Sequence, residues 1–284
     1  SLWLIPWPQL RHNMARVDQQ KIPHKARKRF GQNFLHDNNI IDKIVRSVHA
    51  KAGDHLIEIG PGKGAITEGL VASGAKIDVV EIDRDLIPWL KLQFGLKDNF
   101  SITSADALTI DFAAMRTTDS KLRVIGNLPY NISTPLLFHL MNYREHIDDM
   151  YFMLQKEVVD RMSATPGNKA WGKLGVMLQY HCEIQPLFAV APGCFNPPPK
   201  VESAVVRLKV RTQPTTIADD FALFENIVSI AFQQRRKTLR NSLKKIITDD
   251  QLTNAQIDSK LRPEDLGVAD YVRLSNCVTA ESKS

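Results

Sequence analysis

Short apolar runs alternate with helical patterns along most of this chain, and the alternation limits the fold it can adopt. Predicted strands cover residues 55–60, 76–82, 100–104, 122–126 and 150–154. Predicted helices cover residues 65–73, 84–93 and 134–142, and another begins at 156. Parallel strands need long crossovers, which helices usually supply. The pattern therefore predicts an α/β fold whose sheet is mostly parallel and covered on both faces.

The pattern changes after residue 185. Two further runs, 186–190 and 204–210, are predicted to form an antiparallel hairpin at the sheet edge. Beyond residue 214 the apolar spacing is helical to the end. We expect a basic N-terminal arm over 1–27, an α/β domain over 28–213 and a small all-helical domain over 214–284.

Composition favours an anionic partner. Lysine and arginine number 37 against 31 acidic residues, so the net charge is +6, and the pI is about 9.2. The three cysteines (Cys182, Cys194 and Cys277) are far apart and suggest neither a disulfide framework nor a metal site. No apolar run approaches the roughly 20 residues of a membrane span. We therefore expect a cytoplasmic protein without a metal ion.

Four chemically distinctive residues fall at the ends of successive predicted strands: Gly60, Glu81, Asp106 and Asn127. Ligands of parallel sheets bind at the carboxyl ends of the strands, so the four should share one site. The glycines of Gly60-Pro61-Gly62-Lys63-Gly64 let the backbone approach a nucleotide-type cofactor closely.

The two acidic residues have predicted roles in holding that cofactor. Glu81 comes 21 positions after Gly60 in the sequence. An acidic residue at that spacing can accept hydrogen bonds from two ribose hydroxyls, although Glu81 could instead face solvent. Asp106 could accept a hydrogen bond from the amino group of a cofactor adenine, or it could cap a helix.

The tetrapeptide Asn127-Leu128-Pro129-Tyr130 suits an amino group on a flat base. The Asn127 amide and a nearby carbonyl offer acceptors, Pro129 stiffens the backbone, and Tyr130 gives a ring for stacking. Chemistry on the N6 amino group of adenine needs such an arrangement. The alternative is a strand-to-helix turn with a buried tyrosine.

Two segments are dense in cations. Residues 11–30 carry seven lysines and arginines, and residues 233–245 carry six with no acidic residue. The second segment is predicted to be helical, with its leucines and isoleucines on an apolar side. We expect RNA phosphate contacts from Arg235, Arg236, Lys237 and Arg240, although such a run could simply be a solvated face.

Several short motifs, in order, resemble the small-subunit (16S) rRNA adenine N6,N6-dimethyltransferases, the dimethyladenosine transferase family. They are GQNFL at 31–35, EIGPG at 58–62, EID at 81–83, DA at 106–107, NLPYNIS at 127–133, FMLQKEV at 152–158 and FNPPPKV at 195–201. The resemblance implies a Rossmann-like class I methyltransferase domain that uses S-adenosyl-L-methionine. It also implies a substrate of two adjacent adenosines in the 3′-terminal hairpin loop of 16S rRNA, in the immature small ribosomal subunit.

The resemblance also assigns roles to individual residues. It places Asn33 and Leu35 on the cofactor, together with Gly60, Glu81, Asp106 and Asn127. It places Asn127, Leu128 and Tyr130 at the target amine, with Phe195 opposite Tyr130. A proline-stiffened loop could hold Phe195 as a second wall for the base, or Phe195 could be a loop anchor in the core. A monomer is expected.

Two other functions stay open from the sequence. A 23S rRNA adenine N6-methyltransferase would share the glycine and Asn-Leu/Ile-Pro-Tyr motifs. The other is a ribosome-assembly binding factor with secondary catalysis. A methyltransferase fold that only binds RNA would be expected to lose Glu81, Asn127 or Tyr130, and all three are present, which favours activity.

Overall fold

A computed structural model describes residue 27 and residues 31–282 of the chain. The expected N-terminal arm therefore lies outside the described residues, except for Arg27. The strands are β1 Phe34–Leu35, β2 His55–Ile59, β3 Lys76–Glu81, β4 Phe100–Ser104, β5 Leu122–Asn127, β6 Ile147–Gln155, β7 Cys182–Val190, β8 Phe195–Asn196 and β9 Ser203–Val210.

Helices connect the strands and form the C-terminal part of the chain. They are α1 Asn38–Val48, α2 Thr67–Ala72, α3 Ile87–Phe94, α4 Phe112–Met115, α5 Ser133–Met141, α6 Lys156–Ser163, α7 Lys173–His181, α8 Phe221–Gln233, α9 Leu239–Leu243, α10 Asp249–Asn254 and α11 Val268–Glu281. Among the described residues, no helix is long and apolar enough to cross a membrane.

One seven-stranded sheet, in the order β4-β3-β2-β5-β6-β9-β7, forms the centre of the fold. The strands from β4 to β6 are parallel, and β9 runs antiparallel between β6 and β7. Adjacent residues of β5 face opposite cores, with Val124 on one side and Ile125 on the other. The predicted α/β fold, with its edge hairpin, is confirmed.

A smaller ribbon lies apart from the main sheet. Strands β1 and β8 pair antiparallel, with Leu35 opposite Phe195 and Phe34 opposite Asn196. The pairing holds residues 31–35, which form the N-terminal segment, against the loop that precedes β9.

Two strands begin earlier in the chain than predicted, and one helix was not predicted. Strand β6 begins at Ile147 rather than 150, and β7 begins at Cys182 rather than 186. The first residues of β6 include acidic side chains, which do not read as part of an apolar strand. Asp149 is nevertheless buried there, because it forms ion pairs with Arg123 and Arg207. Helix α7 was not predicted at all, since its buried residues lie on most of its faces and leave little periodicity.

The prediction of one helix through the basic segment 233–245 was wrong. Helix α8 ends at Gln233, a turn follows, and α9 covers only Leu239–Leu243. Arg235 lies in that turn and is drawn into an ion pair with Glu264, far along the chain. The local turn therefore serves a tertiary contact.

A second hydrophobic core joins α7 to the C-terminal helices. Trp171, Val176 and Tyr180 pack there with Phe224 of α8 and Tyr271 of α11. All helices after residue 214 contribute to it. The domain boundary near residue 214 stays a prediction, because this core draws residues from both sides of it.

Candidate active site

A cleft of about 330 Å³ lies at the carboxyl ends of the parallel strands. This volume falls at the small end of the range for small-molecule sites. Every residue predicted to contact cofactor or target base lines it: Asn33, Leu35, Gly60, Glu81, Asp106, Asn127, Leu128, Tyr130 and Phe195. The residues at the strand ends therefore share one cleft, while the identity of the site and the role of each residue stay predictions.

The glycine loop after β2 takes a left-handed backbone that only glycine adopts easily. Gly60 and Gly62 have φ values of 67° and 58°. A Cβ atom on Gly62 would lie 3.1 Å from Cδ1 of Phe34, so the loop passes close under β1. The absence of side chains at both positions leaves the cleft open above the loop.

The Glu81 carboxylate is buried at the end of β3 and is held by main-chain donors. The N–H of Gly62 donates to Oε2 at 3.2 Å, and the N–H of Asp83 donates to Oε1 at 2.8 Å. Burial raises the pKa of Glu81 to about 7, although these hydrogen bonds act in the opposite direction. A ligand that donates hydroxyl hydrogens to Glu81 would favour its ionised form.

Glu58 is a second buried carboxyl in the cleft, and the sequence analysis gave it no role. It lies on β2, and the hydroxyl of Thr67 donates to its Oε2 at 2.6 Å. Burial raises the pKa of Glu58 to about 7, and the nearby charge of Glu81 adds to the increase. The sequence does contain a sign of this residue's importance, because Glu58 is the one acidic residue within the otherwise mostly apolar run His55–Ile59.

Asp106 has one of the two roles that the sequence left open, the cap, while its contact with a cofactor stays a prediction. Its Oδ1 accepts a hydrogen bond from the N–H of Leu108 at 2.9 Å and so caps a short 3-10 turn. The residue also lines the cleft. A carboxylate has more acceptor sites than this one bond uses, so capping leaves Asp106 able to accept from a ligand.

The side chain of Asn127 is oriented by the N-terminal segment. Its Nδ2 donates to the main-chain carbonyl of Asn33 at 3.1 Å. Because the amide nitrogen is engaged there, the amide oxygen is the atom that Asn127 offers as an acceptor on its other side. The preceding residue, Gly126, packs closely against β2, since a Cβ there would lie 2.6 Å from the carbonyl oxygen of Ile59.

Leu128 and Tyr130 take different positions after Asn127. The Leu128 side chain is buried, and its N–H donates to the carbonyl of Met153 at 3.2 Å, so the main-chain carbonyl is the remaining polar group of this residue. The Tyr130 side chain lines the cleft, with its hydroxyl 3.2 Å from that of Ser203. Sequence reasoning missed Ser203.

Phe195 lies in the core as well as at the cleft. It is 3% exposed and packs in the same cluster as Leu35, its partner in the β1–β8 ribbon. It therefore anchors its loop, and it also forms part of the cleft wall. Its stacking against a base stays a prediction.

The N-terminal segment is held over the cleft by Asp83, which is fully buried. Gln32 Nε2 donates to Asp83 Oδ2 at 2.8 Å, and Arg27 Nη1 donates to Oδ1 at 3.1 Å. Lys63 lies nearby, 5.1 Å from the ring centre of Phe34, and burial lowers the pKa of its amine.

The four predicted RNA-binding cations differ in their surroundings. Arg235 pairs with Glu264 and donates to the carbonyl of Lys169 at 2.6 Å, and Arg240 pairs with Asp249. Arg236 and Lys237 are exposed. None of the four lines the cleft. Their contact with RNA stays a prediction.

Among residues 27 and 31–282, no group of three or more His, Cys, Asp or Glu side chains is arranged to hold a metal ion.

Comparisons with known proteins agree on one family. The model of the family described as "Ribosomal RNA adenine dimethylase" matches residues 23–280. "Ribosomal RNA small subunit methyltransferase A" of Pseudomonas aeruginosa is 57% identical over 253 residues, which is 89% of this chain and 94% of that protein. The protein of the same name from Hahella chejuensis is 53% identical over 268 residues, 94% of this chain and 96% of that protein.

Solved structures show the same architecture. A dimethyladenosine transferase from Plasmodium falciparum aligns with a TM-score of 0.73 at 25% identity, covering 85% of this chain and 95% of that one. The 23S rRNA methyltransferase ErmE aligns with a TM-score of 0.69 at 22% identity, covering 87% of this chain and all of that one. At that identity the second likeness concerns the fold alone.

Proposed function

The chain belongs to the ribosomal RNA adenine dimethylase family, and from that premise we propose that it methylates adenine N6 in small-subunit rRNA with S-adenosyl-L-methionine as methyl donor. The curated relatives carry a small-subunit name, and they match over most of both chains. The 23S rRNA alternative is not favoured, since the likeness to the 23S rRNA methyltransferase ErmE, at 22% identity, is one of fold.

One observation in the structure carries the proposal: the Asn127 amide is fixed by Asn33 in the same cleft as the Tyr130 ring. The arrangement presents an acceptor and a flat face to one incoming group. Adenine N6 has hydrogens to donate and a ring that stacks. The carbonyl of Leu128 is the second acceptor in this proposal.

The opposite part of the cleft fits S-adenosyl-L-methionine. Glycines at 60 and 62 leave open space at the end of β2, and Glu81 and Asp106 lie at the ends of the next two strands. Glu81 would accept from ribose hydroxyls and Asp106 from the adenine amino group. Asn33 and Leu35 would form the wall beside the donor.

The chain's own residues align the reacting amine. The N6 lone pair is delocalised into the base, and acceptors on its N–H bonds favour a tetrahedral nitrogen with the lone pair pointing at the methyl group. S-adenosyl-L-methionine, held beside Gly60, Glu81 and Asp106, would supply an electrophilic methyl carbon. The bond from that carbon to N6 would form as the carbon–sulfur bond breaks with its electron pair left on sulfur, and N6 would then lose a proton to water. Alignment supplies most of the rate, so a strong general base is not needed.

We further propose that the substrate is a pair of adjacent adenosines in the 3′-terminal hairpin loop of 16S rRNA, each methylated twice. The immature small subunit would present that loop to a monomeric enzyme, with Arg236 and Lys237 near its phosphates. We propose a cytoplasmic location, since such a substrate is assembled in the cytoplasm.

Transfer of labelled methyl groups tests the function directly. The purified protein is incubated with labelled S-adenosyl-L-methionine and either unmethylated small subunits or large-subunit rRNA, and the nucleosides are then analysed. We expect dimethyladenosine from small subunits only, and its loss in Asn127→Ala. Label in large-subunit rRNA would contradict the substrate, and tight subunit binding without label would favour an assembly factor.

A further inference from the structure

The hydroxyl groups of Tyr130 and Ser203 lie 3.2 Å apart, although the residues are 73 positions apart in the chain. Either hydroxyl can be the donor. Ser203 is only 2% exposed, so its hydroxyl has few alternative partners, and buried hydroxyls are normally hydrogen-bonded. The contact therefore links Tyr130 to a buried position of the sheet.

Ser203 has a specific position in that sheet. It is the first residue of β9, where it pairs with Gln155 at the end of β6 and Val190 at the end of β7. Since β9 is antiparallel to β6, its first residue lies at the same edge as the carboxyl ends of the parallel strands. The cleft is at that edge. Ser203 thus joins Tyr130 to the rigid part of the fold that borders the site.

The backbone of Tyr130 is held separately. The hydroxyl of Ser133, in the first turn of α5, donates to the Tyr130 carbonyl at 3.1 Å. One bond fixes the main chain and the other fixes the far end of the side chain. With both ends held, the ring has little freedom to rotate about its side-chain torsions.

We propose that Ser203 is a positioning residue for methyl transfer, which acts by holding the Tyr130 ring at a fixed angle to the Asn127 acceptor. The inference rests on the proposed function, in which the target adenine stacks on Tyr130. A freely rotating ring would let the base tilt and move N6 off the line of attack. In-line geometry is needed in the transition state, so the bond between the hydroxyls supports the rate constant of transfer more than substrate affinity.

A purely structural role for Ser203 predicts a different result. In that case Ser203→Ala would lower stability, and its effect on the rate constant would be independent of the effect of removing the Tyr130 hydroxyl. A double-mutant cycle separates the two, because residues that act through one bond do not have additive effects.

The experiment compares Ser203→Ala, Tyr130→Phe and the double variant by single-turnover methyl transfer to unmethylated small subunits. Each single substitution is expected to lower the rate constant by roughly 3- to 10-fold, as for loss of one hydrogen bond. The double variant should be no slower than the slower single variant, with the subunit KM and the cofactor Kd unchanged. Multiplied losses in the double variant, or full rates in both single variants, would overturn the proposal.

A matched control is Ser275→Ala. Ser275 is buried in α11, and its hydroxyl donates to the Asp220 carbonyl at 3.4 Å, away from the cleft. It should retain the wild-type rate. If Ser203→Ala fails to fold, Tyr130→Phe decides alone, and a wild-type rate in that variant would overturn the inference. Failure of the wild-type protein to label any subunit would instead count against the proposed function.

Discussion

The side-chain amide of Asn127 donates a hydrogen bond to the main-chain carbonyl of Asn33, at 3.1 Å. These residues are 94 positions apart, and the bond joins the end of a central strand to the segment that covers the cleft. Since the amide nitrogen is used in this way, the orientation of the amide oxygen is fixed before any ligand arrives. The N-terminal segment therefore contributes to the geometry of the proposed target site.

Replacing Asn127 by alanine should remove that acceptor. We expect the single-turnover rate of methyl transfer to fall about 100-fold or more, comparable to loss of a transition-state hydrogen-bonding group elsewhere. The control is Asn99→Ala, whose amide donates to the carbonyls of Val71 and Ala75 outside the cleft. It should alter stability but not the rate per folded molecule. A rate within threefold of wild type in Asn127→Ala would remove the proposed role.

Cofactor affinity should depend on pH through Glu81. Burial raises the pKa of Glu81 to about 7, above the usual value of 4.5. Ribose hydroxyls that donate to the carboxylate favour its ionised form, so binding lowers this pKa again. Affinity is then full above pH 7 and is lost as the pH falls through 7. Calorimetric titration with S-adenosylhomocysteine should show Kd rising by up to about tenfold per unit below that pH.

The matched variant for this effect is Glu81→Gln. The glutamine cannot ionise, so the Kd of this variant should be higher than that of wild type at pH 8. It should change little between pH 8 and pH 6. A wild-type curve that is equally flat would show that the ionisation of Glu81 is not coupled to binding.

Replacing Glu58 by glutamine should stabilise the fold at alkaline pH. The pKa of Glu58 is raised to about 7 in the folded state, so its ionisation disfavours folding once the pH exceeds 4.5, and most strongly above 7. Glutamine keeps the acceptor for Thr67 without the charge. We expect Glu58→Gln to raise the free energy of unfolding by roughly 1–3 kcal/mol at pH 8, and by much less at pH 5.

Urea denaturation at both pH values measures this difference. Thr67→Val supplies the opposite change, because it removes the hydroxyl that donates to Glu58 Oε2. That variant should be less stable than wild type at pH 8. Equal stability of wild type and Glu58→Gln at pH 8 would mean that the buried carboxylate is compensated by other groups.

The sequence was sufficient to predict that the residues at the strand ends share one cleft, because a parallel sheet converts chain order into spatial position. Gly60, Glu81, Asp106 and Asn127 each follow an apolar run, and such runs end at one edge when the crossovers are helices. Nothing more than this periodicity was needed to bring them together. The resemblance to a family then added Asn33, outside the predicted strands.

The remaining features depend on contacts between distant segments, which no local pattern records. Ser203 is an ordinary serine at the start of a strand until the fold places it beside Tyr130. The two-residue strands of the β1–β8 ribbon are too short for periodicity to show. The basic segment looked helical, and Arg235 instead turns away to meet Glu264.

The exposed cations Arg236 and Lys237 should bind RNA phosphates, whereas Arg235 mainly stabilises the fold through Glu264. Within the part of the chain that the structure describes, the side chains of Arg236 and Lys237 make no hydrogen bond or ion pair. Replacing both by alanine should weaken binding to small subunits and reduce the slope of log K against log salt concentration by about 1 to 2, from lost counterion release. Filter binding between 50 and 300 mM salt, about the range over which such contacts act, measures that slope.

The control Arg235→Ala should leave the slope unchanged and lower the unfolding free energy by about 1 kcal/mol, since its ion pair is half-buried. An unchanged slope in the double variant would show that these two cations are only a solvated face.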